Sequence, residues 1–457
     1  MSLFLSLPLA ALALILLVPS SVLAVECLMA LARPRAACRR AGLEGRYVTK
    51  AVVIPAHDEA LSIGRTLSAL LPELEGQDRV LVVADNCTDA TAAVAAGLRG
   101  CENTPRLLRT ALDAADCVAP TTISGHVDSA TLPDIVAITP CPPCPGPPSL
   151  RREVFSQPLS AEVLERKDPD RRGKGFALDF ALNHLRQAPP EVVVFLDADC
   201  ELTPGSLEEL AQVAQSRGRP AQAHYRMRQD GGLDRPGVAG FAWRLRGLVR
   251  PMGLAALGMP CQLYGTGMAL PWAVLERLSL ASGHIVEDMK LTLDLVDEGA
   301  LPLFCADACV ISAFPATEEA AAGQRRRWEH GHIATILGHG LPALWRSLRK
   351  GDPRRLALAL DVCVPPLSLF LMLLALATLL TLPAVLFFDL GQEALALLGL
   401  SWGLTLTGLS LAWFRFGRDL IPARRLFLMP VYVASKLLLY LEFFTRRQKE
   451  WNRADRE

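Results

Sequence analysis

Two hydrophobic patterns divide the chain. The first consists of long unbroken runs. Residues 1–32 are rich in Leu, Ala and Val, with Glu26 as the sole charge before Arg33; residues 362–388 and 394–414 carry no charge at all. Each is long enough to cross a hydrocarbon core as a helix. The second pattern consists of short runs ending in polar loops. Residues 49–55 (Thr-Lys-Ala-Val-Val-Ile-Pro) lead into Ala56-His57-Asp58-Glu59, and residues 79–84 lead into Asp85-Asn86-Cys87-Thr88-Asp89. Residues 191–196 lead into Asp197-Ala198-Asp199. An amphipathic helix through Leu61, Ile63, Leu67, Leu70 and Leu71 follows the first run, and another starts near residue 89 after the second. Strands alternating with helices predict an α/β domain over 48–335 with a doubly wound, mostly parallel sheet.

Two stretches interrupt this scheme. Residues 97–160 have little periodicity and include the run Pro140-Cys-Pro-Pro-Cys-Pro-Gly-Pro-Pro148, so they read as a mostly disordered insertion before a strand resumes at Ala161–Glu165. Cys141 and Cys144 have metal-knuckle spacing, but no second Cys/His pair stands at a matching distance, which argues against a zinc site. Residues 426–444 are apolar, yet Arg424 and Arg425 precede them, Arg446 and Arg447 follow, and Lys436 lies in the middle. That pattern predicts an interfacial or re-entrant helix with a basic tail over 424–447 rather than a crossing.

Charge then gives an orientation. Arg33, Arg35, Arg39, Arg40 and Arg46 follow the first apolar helix, and Arg346, Arg349, Lys350, Arg354 and Arg355, in a juxtamembrane segment over 336–361, precede the second. Arg415 and Arg418 follow the third, while Asp389–Glu393 between the second and third is acidic. Positive charge marks the cytoplasmic side, so the α/β domain is expected in the cytoplasm of an inner or plasma membrane. The first segment lacks a basic start and exceeds the usual length of a signal-peptide core, which favours an uncleaved helix. The twelve cysteines are accordingly expected as thiols. A net charge of zero excludes the basic surplus of a nucleic-acid binder, and the absence of a charge midway along any apolar span argues against a transporter.

The strand ends carry the candidate chemistry. Asp197 and Asp199, at i and i+2 where an apolar strand breaks, suit a hard divalent cation that takes further ligands from a diphosphate; the plain alternative is a surface turn. Asp85 ends another strand and can accept from a base or ribose, or else cap a helix. Lys174, among glycines ahead of a helix, makes a phosphate-friendly end or a solvated basic turn. Glu287 and Asp288 are acids at a helix start, either dipole-favoured or placed to take a proton. Gln324-Arg325-Arg326-Arg327-Trp328 joins guanidinium, amide and indole, suited to a diphosphate and a sugar ring or, alternatively, to anionic lipid.

In order, Val53-Ile-Pro-Ala-His-Asp-Glu59, Asp85-Asn86, Lys174, Asp197-Ala-Asp199, Glu287-Asp288 and Gln324-x-x-Arg327-Trp328 resemble the processive-type family 2 glycosyltransferases, the group of cellulose, hyaluronan and poly-N-acetylglucosamine synthases. The resemblance covers residues 48–335 apart from the insertion. It implies a GT-A fold (Rossmann-like, with a mostly parallel sheet) and inverting transfer from a nucleotide sugar, usually UDP-linked, to a glycan or lipid-linked acceptor. It also implies nucleotide contacts from Ala56, Glu59, Asp85, Lys174 and Asp197, with Mg²⁺ or Mn²⁺ on Asp197 and Asp199. Asp288 would be the general base, and Glu287, Gln324, Arg327 and Trp328 would lie against the diphosphate and acceptor. Two crossings after the catalytic domain are few for a polymer channel, which fits a shorter transfer or a channel completed by a partner subunit or dimer. The competing reading is a catalytically silent, membrane-anchored assembly subunit; an aspartyl-phosphate enzyme is disfavoured because Cys200 and Glu201 follow the acid pair.

Overall fold

A computed structural model of the chain describes residues 2–32, 46–98, 161–228, 237–283, 286–315 and 317–445. The expected insertion lies outside the described residues from 99 to 160. Eight strands form one sheet: β1 (Lys50–Ala56), β2 (Arg79–Asp85), β3 (Glu162–Arg166), β4 (Val192–Phe195), β5 (Cys200–Leu202), β6 (Ala221–Arg228), β7 (Met268–Pro271) and β8 (Leu303–Ala313). Their order is β3-β2-β1-β4-β7-β6-β8-β5. Strands β3, β2, β1 and β4 run parallel, as do β6 and β8, while β7 is antiparallel to both its neighbours and β5 is antiparallel to β8. This is the expected GT-A class of sheet, mostly parallel with an antiparallel insertion.

The central strands are apolar on both faces because both faces are covered. Val52, Ile54, Val80 and Val82 point into one core layer; Ala51, Val53, Leu81 and Val83 point into the other. Helices α1 (Ser2–Ala32), α2 (Ile63–Leu70), α3 (Thr91–Gly97), α4 (Lys174–Leu185) and α5 (Ser206–Arg217) come first in the chain. They are followed by α6 (Val238–Arg244), which continues through a π-helical turn, Leu245–Val249, into α7 (Arg250–Ala256). Then come α8 (Trp272–Leu275), α9 (Glu287–Asp297), α10 (Glu318–Thr335), α11 (Leu341–Lys350) and α12 (Pro353–Val362). Chain order reverses between β1 and β4, the switch point at which open α/β sheets bind ligands beyond the carboxyl ends of their strands.

Among the described residues, four segments are long and apolar enough to cross a membrane: Ser6–Ala32, α13 (Leu367–Phe388), α14 (Gln392–Phe416) and Ala423–Phe443. The second begins later than the sequence reading of residue 362. Two prolines at 365 and 366 separate α12 from α13, because proline removes an amide donor and cannot continue the helix. The fourth is broken at Lys436 into α15 (Met429–Ser435) and α16 (Leu437–Thr445). Lys436 Nζ lies 2.5 Å from Glu329 on α10, and the Tyr440 hydroxyl donates to the same carboxylate. The break therefore faces the α/β domain.

The first apolar helix and the α/β domain share a tight joint. A Cβ on Gly253 of α7 would lie 2.0 Å from the Glu26 carbonyl of α1, so only glycine permits this approach. Beside it Arg250 donates to Glu26 at 2.6 Å and also to Asp361 of α12. Gln262 donates to the other Asp361 oxygen at 2.7 Å. Glu26 and Asp361 are almost fully buried, and removing any one member would strand an uncompensated charge.

Candidate active site

A cavity of about 370 Å³ opens at the switch point. Ala56 and Glu59 come from the β1 end, Asp85 from β2, Lys174 from the start of α4, Asp197 and Asp199 from the β4 end, Glu287 and Asp288 from the start of α9, and Arg327 and Trp328 from α10; all line it. Of the residues singled out in the sequence, Gln324 alone lies elsewhere. It is buried one helical turn before Trp328 and lines a second, smaller cavity, while Trp328 is large enough to reach both.

Asp197 and Asp199 are aimed by the break in β4. The Asp197 amide donates to Thr266 Oγ1 at 3.1 Å, and Asp199 accepts from Ser312 at 3.2 Å. Carboxylate oxygens of the two and the Cys200 sulfur lie within 4.8 Å of one another. The two oxygens suit a hard cation; burial pushes the Cys200 thiol well up, keeping it protonated and out of such a ligand set.

Lys174 connects the two acid pairs. Its ammonium lies 2.5 Å from Asp197 and 3.5 Å from Glu287, and it donates to the Gly265 carbonyl at 2.8 Å. Gly265 has φ +80°, and a Cβ there would lie 3.1 Å from the lysine nitrogen, so glycine both permits the turn and leaves room for the cation. Burial would lower the Lys174 pKa, but Asp197 and Glu287 outweigh it and raise it, which keeps the charge fixed. Burial pushes Glu287 up to about 7, with Lys174 opposing. Burial likewise raises Asp288 from its ordinary value, with Arg246 and Lys174 opposing. Asp288 Oδ1 accepts from the Met289 amide at 2.8 Å, which anchors the carboxylate at the helix start.

Asp85 is less free than the sequence suggested. Arg166 at the end of β3 lies 2.6 Å from it and Asn86 donates to the same oxygen at 3.0 Å. Burial still raises its pKa, with Arg166 opposing. One face of this carboxylate is thus committed to the protein and its position is fixed.

Residues outside the motifs complete the wall. Trp243 packs on Trp328 with ring centroids 4.9 Å apart at 31°, and Tyr225 meets Trp243 edge-on at 5.0 Å. The Arg246 guanidinium lies over Trp243 at 5.9 Å and over Tyr264 at 5.5 Å. A faint signal exists in the sequence: Phe241, Leu245 and Val249 form one buried stripe, leaving Trp243, Arg246 and Arg250 on another.

The α/β sheet thus brings paired acids at its switch point, a buried acid at a facing helix start and an aromatic wall onto one cavity. Residues 192–415, a little under half of the chain, match the family described as Glycosyl transferase family group 2. Solved structures similar to this chain include a mannosyltransferase from Pyrobaculum calidifontis in complex with GDP-Man and Mn²⁺, at 17% identity and a TM-score of 0.48 over 89% of this chain and 98% of that one. Another is glucosyl-3-phosphoglycerate synthase from Mycobacterium tuberculosis, at 19% identity and a TM-score of 0.35 over 66% of this chain and 83% of that one. No curated protein matches the chain.

Proposed function

We propose that the protein is a membrane-anchored, metal-dependent, inverting glycosyltransferase of the processive-type group, moving a sugar from a UDP-linked donor to a glycan or lipid-linked acceptor in cell-surface polysaccharide or glycolipid synthesis. The observation that carries this reading is the convergence of Asp197, Asp199, Lys174 and Asp288 on one cavity. The basic flanks of the apolar helices support a cytoplasmic catalytic domain.

Ala56, Glu59 and Asp85 frame the nucleoside, and Lys174 and Arg327 meet the diphosphate. Asp197 and Asp199 would hold Mg²⁺ or Mn²⁺, which neutralises charge on a leaving diphosphate when bound. Lys174 and Arg327 add to that neutralisation in a partly dry site, where fixed charges act more strongly than in water. Asp288 takes the acceptor hydroxyl proton as that oxygen attacks the anomeric carbon from the face opposite the diphosphate. One base and no covalent intermediate give inversion. Trp328 and Trp243 offer faces on which a sugar ring packs.

The test is full-length protein in detergent with a panel of nucleotide sugars and Mn²⁺, following release of nucleoside diphosphate. Consumption of a donor with inverted product supports the reading. A protein that binds nucleotide but consumes no donor would instead be the silent assembly subunit.

A further inference from the structure

The second cavity, about 160 Å³, adjoins the active site through shared walls. Trp243, Arg246 and Trp328 line both cavities, so these three side chains form the partition between them. From that partition the smaller cavity runs to Leu23 and to Leu367 at the start of α13, both in segments long and apolar enough to cross a membrane. Its wall is mainly hydrocarbon, with Arg325 and Lys436 among its cations and Glu329 as its acid, which is already paired with Lys436. Burial pushes His332, also on this wall, down to about 3, so it stays neutral.

The partition holds hydrogen-bonding capacity the protein itself leaves unused. Trp243 Nε1 is buried and has no partner among the described residues. The Arg246 guanidinium lies over Trp243 and Tyr264; Asp288 is the carboxylate that feels its charge, and no ion pair among the described residues ties the two directly. A buried N–H without a partner costs about 1–3 kcal/mol, so a ligand oxygen at this point recovers that cost. A guanidinium presenting several N–H groups suits a phosphate.

We propose that the acceptor is an anionic membrane phospholipid with a free headgroup hydroxyl. Its acyl chains enter through the second cavity, its phosphodiester rests on Arg246 and Trp243 Nε1, and its hydroxyl reaches Asp288. This rests on the glycosyltransferase reading above. In the transfer the headgroup oxygen bonds to the anomeric carbon while the bond from that carbon to the diphosphate oxygen breaks. The hydroxyl proton passes to Asp288, and the electron pair leaves with the nucleoside diphosphate. A carboxylate base is needed for a hydroxyl nucleophile and would be superfluous for a lipid phosphate that attacks through its own oxygen, which is why the hydroxyl-bearing headgroup is chosen.

The experiment uses the full chain in vesicles of phosphatidylcholine alone, phosphatidylcholine with phosphatidylglycerol, and phosphatidylcholine with a polyprenyl phosphate. Labelled nucleotide sugars and Mn²⁺ are supplied, and label in the lipid extract is counted. Transfer only with phosphatidylglycerol is expected. Arg246→Gln should raise the KM for that lipid about tenfold or more, leaving the donor KM unchanged, with Arg246→Lys intermediate and Trp243→Phe milder. Metal-dependent binding of the nucleoside diphosphate, measured calorimetrically on each variant, reports folding and the donor site independently. Transfer to polyprenyl phosphate, transfer only to soluble glycans, or an Arg246→Gln effect on the donor KM instead of the lipid KM would each overturn the lipid proposal. Absence of nucleotide binding by the wild type would overturn the reading beneath it as well.

Discussion

The site contains two carboxylate pairs that look alike in composition and differ in everything that decides their chemistry. Asp197 and Asp199 stand at i and i+2 on a strand end, half-buried, with Lys174 2.5 Å from the first and Ser312 donating to the second. Glu287 and Asp288 stand at i and i+1 on a helix start, where burial raises both. The turn after β4 leaves carboxylate oxygens of the first pair close enough to share an ion, with the protonated Cys200 thiol beside them but outside the ligand set. Consecutive helix positions point apart, so Glu287 turns to Lys174 while Asp288 faces the cavity beside Arg246. The difference teaches that an acid becomes a cation ligand or a proton acceptor through its solvent and its neighbouring charges, the residue type being the same.

The largest expected effect separates the pairs by function. Asp288→Asn should lower donor consumption on the order of 10²–10⁴-fold while nucleotide binding, followed by calorimetry, stays near the wild-type value. Normal turnover in that variant would reassign the base. Next, Asp199→Asn should weaken metal-dependent donor binding by about tenfold or more, and chelation of the wild type should abolish turnover until Mn²⁺ is restored. If chelation has no effect, the strand-end pair has no ion to hold.

A smaller effect concerns pH. Asp288 must be ionised to accept a proton, and its pKa in the fold is raised by burial. The base form is therefore lost as pH falls through that raised value, and the acid limb of kcat should lie above that of a solvated aspartate. An acid limb near 4 would indicate a solvated base elsewhere. The smallest effect belongs to Glu287→Gln, which removes one of the three carboxylates raising Lys174. Donor KM should change a few-fold with kcat nearly preserved; a collapse of kcat would make Glu287, and not Asp288, the proton acceptor.

Much of the nucleotide side is readable in one dimension. Strands β1, β2 and β4 are covered on both faces, so each is a continuous apolar run whose end is marked by its first charged residue. Asp85, Asp197 and Lys174 could be singled out because strand ends and helix starts are local events. The acceptor side is less legible. Strands β6, β7 and β8 are mixed in composition or short, and β7 spans only Met268–Pro271. Arg246 and Trp243 belong to no motif and gain meaning only because the π turn sets them between Tyr264 and Trp328. Gln324 shared a motif with Trp328 yet faces the other cavity, since one helical turn is enough to cross the partition.

The sequence by itself determined the apolar spans, the central strands and the types of acid and base offered at their ends. Those properties depend on hydrophobic runs and local turn chemistry, which are written in consecutive residues. Tertiary structure alone decided that Arg166 claims one face of Asp85, that Lys174 stands between the two acid pairs, and that the active site shares a wall with a cavity reaching the membrane helices. Charge pairing and burial depend on distances between residues far apart in the chain, such as Lys174 and Glu287 or Trp243 and Trp328, and only folding sets those distances.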